Sequence, residues 1–204
     1  MRSRTSPTLS LLILLALVLF SSQVKAKSFR YVIIDPGHGG HDRGGNSGKV
    51  YEKHLALDTA LRLEHYLKKR GIRTKMTRRS DVFVSLAGRA AKGNRYRKSI
   101  FVSIHYNHSW KRDPHGLETF YKSAEGKKLA TFIQNGMMSK VRTINRGVKS
   151  ANFYVIRHSK NPAVLVECGF VSNSSERNRM KKAWFRQSLA EGIGEGIIKY
   201  KKSR

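Results

Sequence analysis

Hydrophobic and polar positions follow two different periods along the chain from residue 29 onward. Runs rich in β-branched and aromatic residues predict strands at residues 29–34, 72–77, 100–106, 117–121, 153–156 and 163–168. Apolar residues that recur every three or four positions predict helices at residues 51–70, 85–94, 123–140 and 183–199. Ser85 and Ser123 stand at the start of two of these helices, and Gly71 follows the first, as capping preferences favour.

This alternation of strands and helices predicts the fold class. Strands separated by helices of about 15 residues indicate a single α/β domain, in which a largely parallel, twisted sheet carries helices on both faces. The sequence contains no internal repeat and no low-complexity tract. In open sheets of this kind, functional sites form beyond the carboxyl ends of the strands. Polar residues at strand ends therefore become the candidates for chemistry.

The first 26 residues follow a different pattern. Arg2 and Arg4 precede an apolar run from Leu9 to Phe20, about 12 residues long, whereas a membrane-spanning helix needs about 20. Val24 and Ala26 then stand at the −3 and −1 positions of a cleavage site. We predict a signal peptide over residues 1–26 and a periplasmic or secreted domain over residues 27–204. An uncleaved membrane anchor is the alternative interpretation.

The charge of the chain changes the expected partners. The 41 Lys and Arg residues against 13 Asp and Glu give a net charge of +28, of which the predicted signal peptide holds three positive charges and no acids, leaving +25. Such a charge attracts polyanions. For an exported protein we expect an anionic envelope surface as the partner and no nucleic acid. The single cysteine, Cys168, excludes an internal disulfide, and its apolar neighbours predict a buried core residue rather than a nucleophile.

Four polar residues lie where predicted strands end or a predicted helix begins. His38 follows the first strand within a glycine-rich segment, His105 ends the run at residues 100–106, and Glu52 begins the first long helix. Glu167 follows the apolar residues 163–166. A carboxylate buried there without a partner would cost several kcal/mol, so Glu167 needs a cation or hydrogen bonds nearby.

Two imidazoles and one carboxylate are the protein ligands of many catalytic zinc sites, and a further carboxylate can transfer the proton during hydrolysis. We therefore predict His38, Glu52 and His105 as Zn²⁺ ligands and Glu167 as the catalytic acid/base. The ligands are separated by 14 and 53 positions, so no short motif such as His-Glu-x-x-His applies. From spacing alone, a structural role for any one of these histidines stays open.

Several ordered motifs resemble one known family over residues 31–200. They are Asp35-Pro36-Gly37-His38-Gly39-Gly40 with Asp42 and Gly44, then Glu52-Lys53, Thr77-Arg78 with Asp81, Leu86 and Arg89, Phe101 to Asn107, Arg146-Gly147 with Lys149, and Val166-Glu167 with Gly169-Phe170 and Ser172-Asn173. These segments resemble the zinc-dependent N-acetylmuramoyl-L-alanine amidases of the amidase 3 family. The resemblance implies the four roles given above and hydrolysis of the amide between N-acetylmuramic acid and L-alanine in peptidoglycan or its lipid-linked precursor.

The resemblance also sets expectations about organisation. Cell-division members of that family carry an inserted helix that blocks the zinc, whereas only 62 positions separate His105 from Glu167 here. We expect a monomer with an open site, without an autoinhibitory insert and without a separate wall-binding domain. Two alternative functions remain: a zinc peptidase acting on the stem peptide, and a non-catalytic cationic protein that binds the envelope.

Three further residues carry expectations from this comparison. Arg78 and Arg89 are expected to fix the fold by pairing with acids such as Asp81, with the binding of stem-peptide carboxylates as the alternative. Tyr106, which stands where the family often has a small residue, is expected to narrow the cleft beside His105 or line a rim for the sugar.

Overall fold

The computed structural model describes residues 29–203, so the predicted signal peptide lies outside the described residues. The elements in chain order are β1 (Tyr31–Pro36), β2 (Asn46–Ser47), β3 (Val50–Tyr51), α1 (Glu52–Lys68), β4 (Arg73–Met76), α2 (Leu86–Asn94), β5 (Ser99–Asn107), β6 (Leu117–Tyr121), α3 (Ala124–Met138), β7 (Asn145–Ser150), α4 (Tyr154–Arg157), β8 (Ala163–Phe170), α5 (Ser174–Met180) and α6 (Ala183–Lys202). Of the helices over residues 29–203, none combines the length and apolar character that a bilayer span requires.

Six of the strands form one mixed sheet in the order β4-β1-β5-β8-β6-β7. The first four are parallel to one another, whereas β6 runs antiparallel to β8 and β7 runs parallel to β6. The two short strands β2 and β3 form a separate hairpin before α1. The predicted α/β class with a largely parallel sheet is confirmed.

Both faces of the sheet are apolar, which explains why its strands read as continuous hydrophobic runs. In β1, Val32 and Ile34 belong to the larger core cluster, whereas Ile33 belongs to a smaller one. The larger cluster packs against α1, α3 and α6. The smaller cluster includes Val155 of α4, which in turn contacts α2. Helices therefore cover both faces, as predicted.

One local prediction is wrong, and three short elements were not predicted. Residues 153–156, predicted as a strand, form the start of the short helix α4 instead. Strand β7 was absent from the prediction because its sequence, Asn-Arg-Gly-Val-Lys-Ser, is polar, as is permissible at the edge of a sheet. Helix α5 and the β2–β3 hairpin were also absent from the prediction, since both are too short to show a hydrophobic period.

Candidate metal centre

The segment that follows β1 holds His38 in an unusual backbone conformation. His38 has a φ angle of 57°, in the left-handed region that few residues with side chains adopt, and Gly39 and Gly40 after it also have positive φ. Two buried arginines stabilise this conformation. Arg89 donates to the carbonyl oxygen of His38 at 2.6 Å, and Arg78 donates to that of Gly37 at 2.7 Å. Hydrogen bonds from the guanidinium groups of Arg78 and Arg89 thus hold the backbone of this segment in place.

The same arginines correct one predicted pairing. Arg89 forms an ion pair with Asp35 at 2.9 Å, and the hydrogen bonds of Arg78 go to backbone carbonyls. Asp81, the predicted partner, instead pairs with Lys53 at 2.6 Å. Burial and the nearby Arg89 charge lower the pKa of Arg78 to about 10, so Arg78 remains a cation at neutral pH. The expected structural role is confirmed, with different partners.

Glycines in this segment leave room for the side chains of the site. A Cβ atom on Gly37 would overlap the His105 ring. A Cβ on Gly44 would lie 2.5 Å from Cδ2 of His38 and 2.6 Å from Oε2 of Glu52, and Gly44 also has a φ of +66°. The glycine-rich sequence therefore reflects close approach of the backbone to imidazole and carboxylate groups, as well as positive φ angles.

His38, Glu52 and His105 come together at the carboxyl ends of β1 and β5. One ligand atom from each lies within 4.8 Å of the others. Nε2 of His38 is 3.1 Å from Oε2 of Glu52, and Nδ1 of His105 is 2.7 Å from Oε1 of Glu52. Glu52 also accepts from the backbone N–H groups of Gly45 at 2.7 Å and Tyr106 at 3.0 Å. The three donor groups fit a divalent ion, since their types are those of a His₂Glu zinc site.

The ionisation of these groups follows from burial and proximity. Burial favours the neutral form of Glu52, but the hydrogen bonds and charges of His105 and His38 outweigh it and place the pKa of Glu52 well below its usual value. Burial also favours the neutral form of His38, which lowers the pKa of its imidazole. The hydrogen bonds and charges of Glu52 and Asp42 outweigh burial, so the pKa of His38 is raised overall. Nδ1 of His38 lies 2.8 Å from Oδ2 of Asp42. Asp42 therefore orients the His38 ring so that Nε2 faces the cluster.

Glu167 lies beside this cluster because of strand register. His105 of β5 pairs directly with Glu167 of β8, and Glu167 pairs with Glu118 of β6. Paired residues of neighbouring strands share a face of the sheet, so the three side chains form one row. The Oε2 atom of Glu167 is buried and has no hydrogen-bond partner among residues 29–203. Burial, together with the charges of Glu52 and Glu118, raises the pKa of Glu167 well above its usual value.

Glu118 is the part of this row that the sequence analysis missed. Its side chain is buried and is balanced by Arg146, whose Nε lies 3.2 Å away, by Lys149, and by Asn107, which donates at 2.8 Å. The available signal was a carboxylate inside the short apolar strand β6, the same signal that identified Glu167. Unlike Glu167, Glu118 has both its oxygens in contact with donors.

A cavity of about 550 Å³ opens over the cluster. Its lining includes His108 and the exposed apolar residues Phe83, Leu86 and Phe153. Tyr106 belongs to the lining of this cavity, but its side chain does not take the predicted role of narrowing the cleft or forming a rim. Its side chain is fully buried and its hydroxyl contacts that of Thr59 at 2.7 Å, because residues alternate along β5 and the neighbour of His105 must face the opposite core.

An α/β domain with a His₂Glu cluster at its strand ends, beside a buried carboxylate, has the architecture and donor set of a mononuclear metal hydrolase. Residues 32–199 match the model of the Amidase 3 family, described as N-acetylmuramoyl-L-alanine amidase. The chain belongs to this family.

Individual relatives agree with that assignment. N-acetylmuramoyl-L-alanine amidase LytC of Bacillus subtilis is 38% identical over 173 residues, which are 83% of this chain and 35% of LytC, so this chain spans about a third of that relative. An N-acetylmuramoyl-L-alanine amidase from Clostridium difficile 630 superimposes with a TM-score of 0.84 at 37% identity, covering 87% of this chain and 99% of that one. The catalytic domain of CwlV from Bacillus (Paenibacillus) polymyxa var. colistinus gives 0.82 at 35% identity, covering 86% and 100%.

Proposed function

We propose that this protein is an exported, zinc-dependent N-acetylmuramoyl-L-alanine amidase that hydrolyses the amide between N-acetylmuramic acid and the L-alanine of the stem peptide. The observation that carries the proposal is the His38–Glu52–His105 cluster beside the unpartnered oxygen of buried Glu167. In a member of the amidase family, these four side chains supply the groups that amide hydrolysis requires.

In this proposal His38, Glu52 and His105 hold the zinc ion. Zinc bound there would act as a Lewis acid that polarises the scissile carbonyl and lowers the pKa of water. Asp42 holds the proton of His38 on Nδ1, which leaves Nε2 free as a ligand. Backbone N–H groups of Gly45 and Tyr106 hold the Glu52 carboxylate in place.

Glu167 is proposed as the group that moves the proton. Its oxygen faces the cluster without a hydrogen-bond partner, and its raised pKa suits a carboxyl group that accepts a proton and then returns it to the leaving amine. The nearby Glu118 keeps a negative charge on the far side of Glu167, where Arg146 and Lys149 balance it. This arrangement favours proton uptake by Glu167 during the reaction.

The proposal includes the organisation of the chain. Residues 1–26 would be a cleaved signal peptide, and residues 27–204 a catalytic domain that works in the periplasm or outside the cell as a monomer. The cleft over the cluster is open to solvent, since His38 and His105 retain 24% and 18% of their side-chain exposure. We therefore expect the purified domain to be active without a partner protein; a requirement for an added activator would contradict an open site.

The test is digestion of a defined muropeptide, followed by mass spectrometry. We expect release of the intact stem peptide from the sugar, with the activity lost on chelation and restored by zinc. Products cut within the stem peptide would instead indicate a peptidase. The matched variant is Glu167→Gln, which should retain zinc while losing at least about 100-fold in turnover. Bound zinc with no Glu167-dependent hydrolysis would favour a non-catalytic envelope-binding protein.

A further inference from the structure

A group of cations lies at the edge of the sheet opposite the metal centre. Arg30 precedes β1, Arg73 begins β4, Lys98 precedes β5, and Lys160 lies three positions before β8. All four thus stand at the amino ends of the parallel strands, whereas the metal centre stands at the carboxyl ends. Together with two neighbours they form what we call the basic face, which consists of Arg30, Arg73, Arg97, Lys98, Lys160 and Lys201.

The basic face surrounds two adjoining cavities of about 560 and 530 Å³, which share Phe29 and Lys98 in their linings. Neither lining contains an acidic residue. Within residues 29–203, none of Arg30, Arg73, Arg97, Lys98 and Lys160 forms an ion pair, although all are exposed. Some cations elsewhere have acidic partners, as Lys53 has Asp81, whereas other exposed cations of residues 29–203, such as Arg142 and Lys181, also form no ion pair. What distinguishes the basic face is that its six cations surround two adjoining cavities whose linings contain no acidic residue.

Three features indicate that the fitting partner is a layer of lipid phosphates. First, six unpaired or loosely held cations spread over four strand ends suit a surface of many anions better than a single small ligand. Second, the exposed hydrophobic side chains of the described chain all lie outside both linings, so the face is suited to electrostatic attachment without insertion. Third, Phe29 follows Phe20, the end of the apolar leader, by only nine residues.

That last distance limits how far the face can be from a membrane. Nine residues extend to at most about 30 Å whatever their conformation. While the leader is in the bilayer, the basic face, which adjoins Phe29, therefore lies within about 30 Å of the anionic headgroups. The metal centre lies at the other edge of the sheet, because α6 runs between the two edges and the 17 residues from Trp184 to Lys201 span about 25 Å.

We propose that the basic face docks the protein onto the phosphate headgroups of an anionic bilayer and turns the cleft outward, toward polymeric peptidoglycan rather than a lipid-linked precursor. The docking stands on the basic face alone. The choice of substrate rests in addition on the proposed amidase function.

The first test is co-sedimentation of the chain Lys27–Arg204 with vesicles of phosphatidylcholine containing 30% phosphatidylglycerol. The solved relatives described above consist of this domain alone, so this part of the chain folds without its leader. The triple variant Arg73→Gln, Arg97→Gln and Lys160→Gln should lose about 100-fold in partitioning, since each cation near such a surface contributes about fivefold and the three factors multiply. Vesicles of phosphatidylcholine alone should bind neither protein.

A matched control removes the same charge from the other edge. Arg142, Lys181 and Lys182 are exposed and lie in the connections to β7 and α6, near the carboxyl end of β8. Their triple glutamine variant should lose less than about fivefold. Equal losses in the two triple variants would contradict binding through the basic face. They would mean that only the overall charge of the protein attracts it to the vesicles. If inorganic phosphate releases more protein from the vesicles than chloride does at equal ionic strength, the basic face would be a site for free phosphate instead.

Orientation can be measured without activity. The chain has two tryptophans, both exposed. Trp110 follows the carboxyl end of β5 and Trp184 lies at the start of α6, so both stand at the edge of the sheet that carries the metal centre. Headgroup spin-labelled lipid should quench less than about a tenth of their fluorescence in the bound protein, and strong quenching would overturn the outward orientation. With activity established, bound enzyme should hydrolyse a soluble muropeptide at least tenfold faster than the vesicle-anchored precursor. If neither is hydrolysed, the proposed amidase function fails while sedimentation and quenching still decide the docking.

Discussion

The metal centre depends on residues that make room as much as on residues that donate. Gly44 is the clearest case, because its missing side chain leaves space for both His38 and Glu52. From sequence, the glycines near His38 indicated a close approach to the backbone, but the approaching groups could not be named. Besides His38 itself, these groups include His105 from β5 and Glu52 from α1, which only the tertiary fold brings to this segment.

We predict that Gly44→Ala reduces zinc affinity at least tenfold, because its Cβ would displace two proposed ligands. Gly48→Ala is the matched control: Gly48 has a similar φ of +60°, and a Cβ there would meet no atom of the described part of the chain within 4 Å. That variant should lose about 1–2 kcal/mol of stability through backbone strain and keep its zinc affinity. Titration with a zinc indicator measures the zinc affinity of both variants. Equal affinity in the two variants would refute steric exclusion at Gly44.

The site residues show why sequence reasoning succeeds for some positions and fails for others. Glu167 was visible because a carboxylate in a buried strand is costly and demands a reason. Glu118 carried the same signal in a shorter strand and was overlooked. The partner of Asp81 was not deducible, since Lys53 and Asp81 are 28 positions apart and meet only after α1 and β4 have packed.

At the scale of elements, long periodic segments were predictable and short ones were not. Helices α1, α3 and α6 show an apolar face over many turns, so tertiary packing and local preference agree. Helix α4 has the sequence Tyr-Val-Ile-Arg, whose β-branched residues favour a strand. Its Val155 and Ile156 are nevertheless buried in the smaller core as helical residues, because packing overrides a weak local preference.

One buried carboxylate links α1 to the segment after β4. Glu64 accepts two hydrogen bonds from Arg79, at 2.7 and 2.8 Å, and one from Thr74, and it also pairs with Lys68 at 3.0 Å. Burial alone would raise the pKa of Glu64, but the hydrogen bonds from Arg79 and Lys68 outweigh it and leave the pKa lowered. A lowered folded-state pKa means that this group stabilises the fold above its unfolded pKa.

We therefore predict that Glu64→Gln lowers the free energy of unfolding by about 1–2 kcal/mol at pH 7. The difference from the parent protein should begin to shrink below the unfolded pKa of about 4.3 and vanish as the pH falls through the lowered folded-state pKa. Urea unfolding of the variant and the parent protein at several pH values measures this difference in the free energy of unfolding. Asp113→Asn is the control, because Asp113 is exposed, and it should change stability by less than about 0.5 kcal/mol. A difference for Glu64→Gln that persists unchanged in acid would contradict the ion pair as its cause.

At the scale of the whole molecule, two properties coexist that respond differently to salt. The large positive charge acts over distances comparable to the Debye length, which falls from about 10 Å at 0.1 M salt to about 3 Å at 1 M. The contacts within the metal centre are near 3 Å, and Glu52 and Glu167 are buried. Salt should therefore weaken the electrostatic attraction between the protein surface and its anionic partners and leave the interactions within the metal centre largely unchanged.

We predict that raising the salt concentration from 0.05 to 0.5 M releases the protein from isolated cell envelopes by at least tenfold, while turnover of a small, soluble muropeptide changes by less than twofold. Pull-down with envelopes and hydrolysis of the soluble substrate, measured in the same buffers, provide the comparison. An uncharged muropeptide analogue serves as the control for any salt effect on the substrate's own carboxylates. A parallel fall in envelope binding and in turnover of the soluble substrate would mean that the charge acts within the cleft itself. In that case the surface that retains the enzyme and the site that hydrolyses would not be separate.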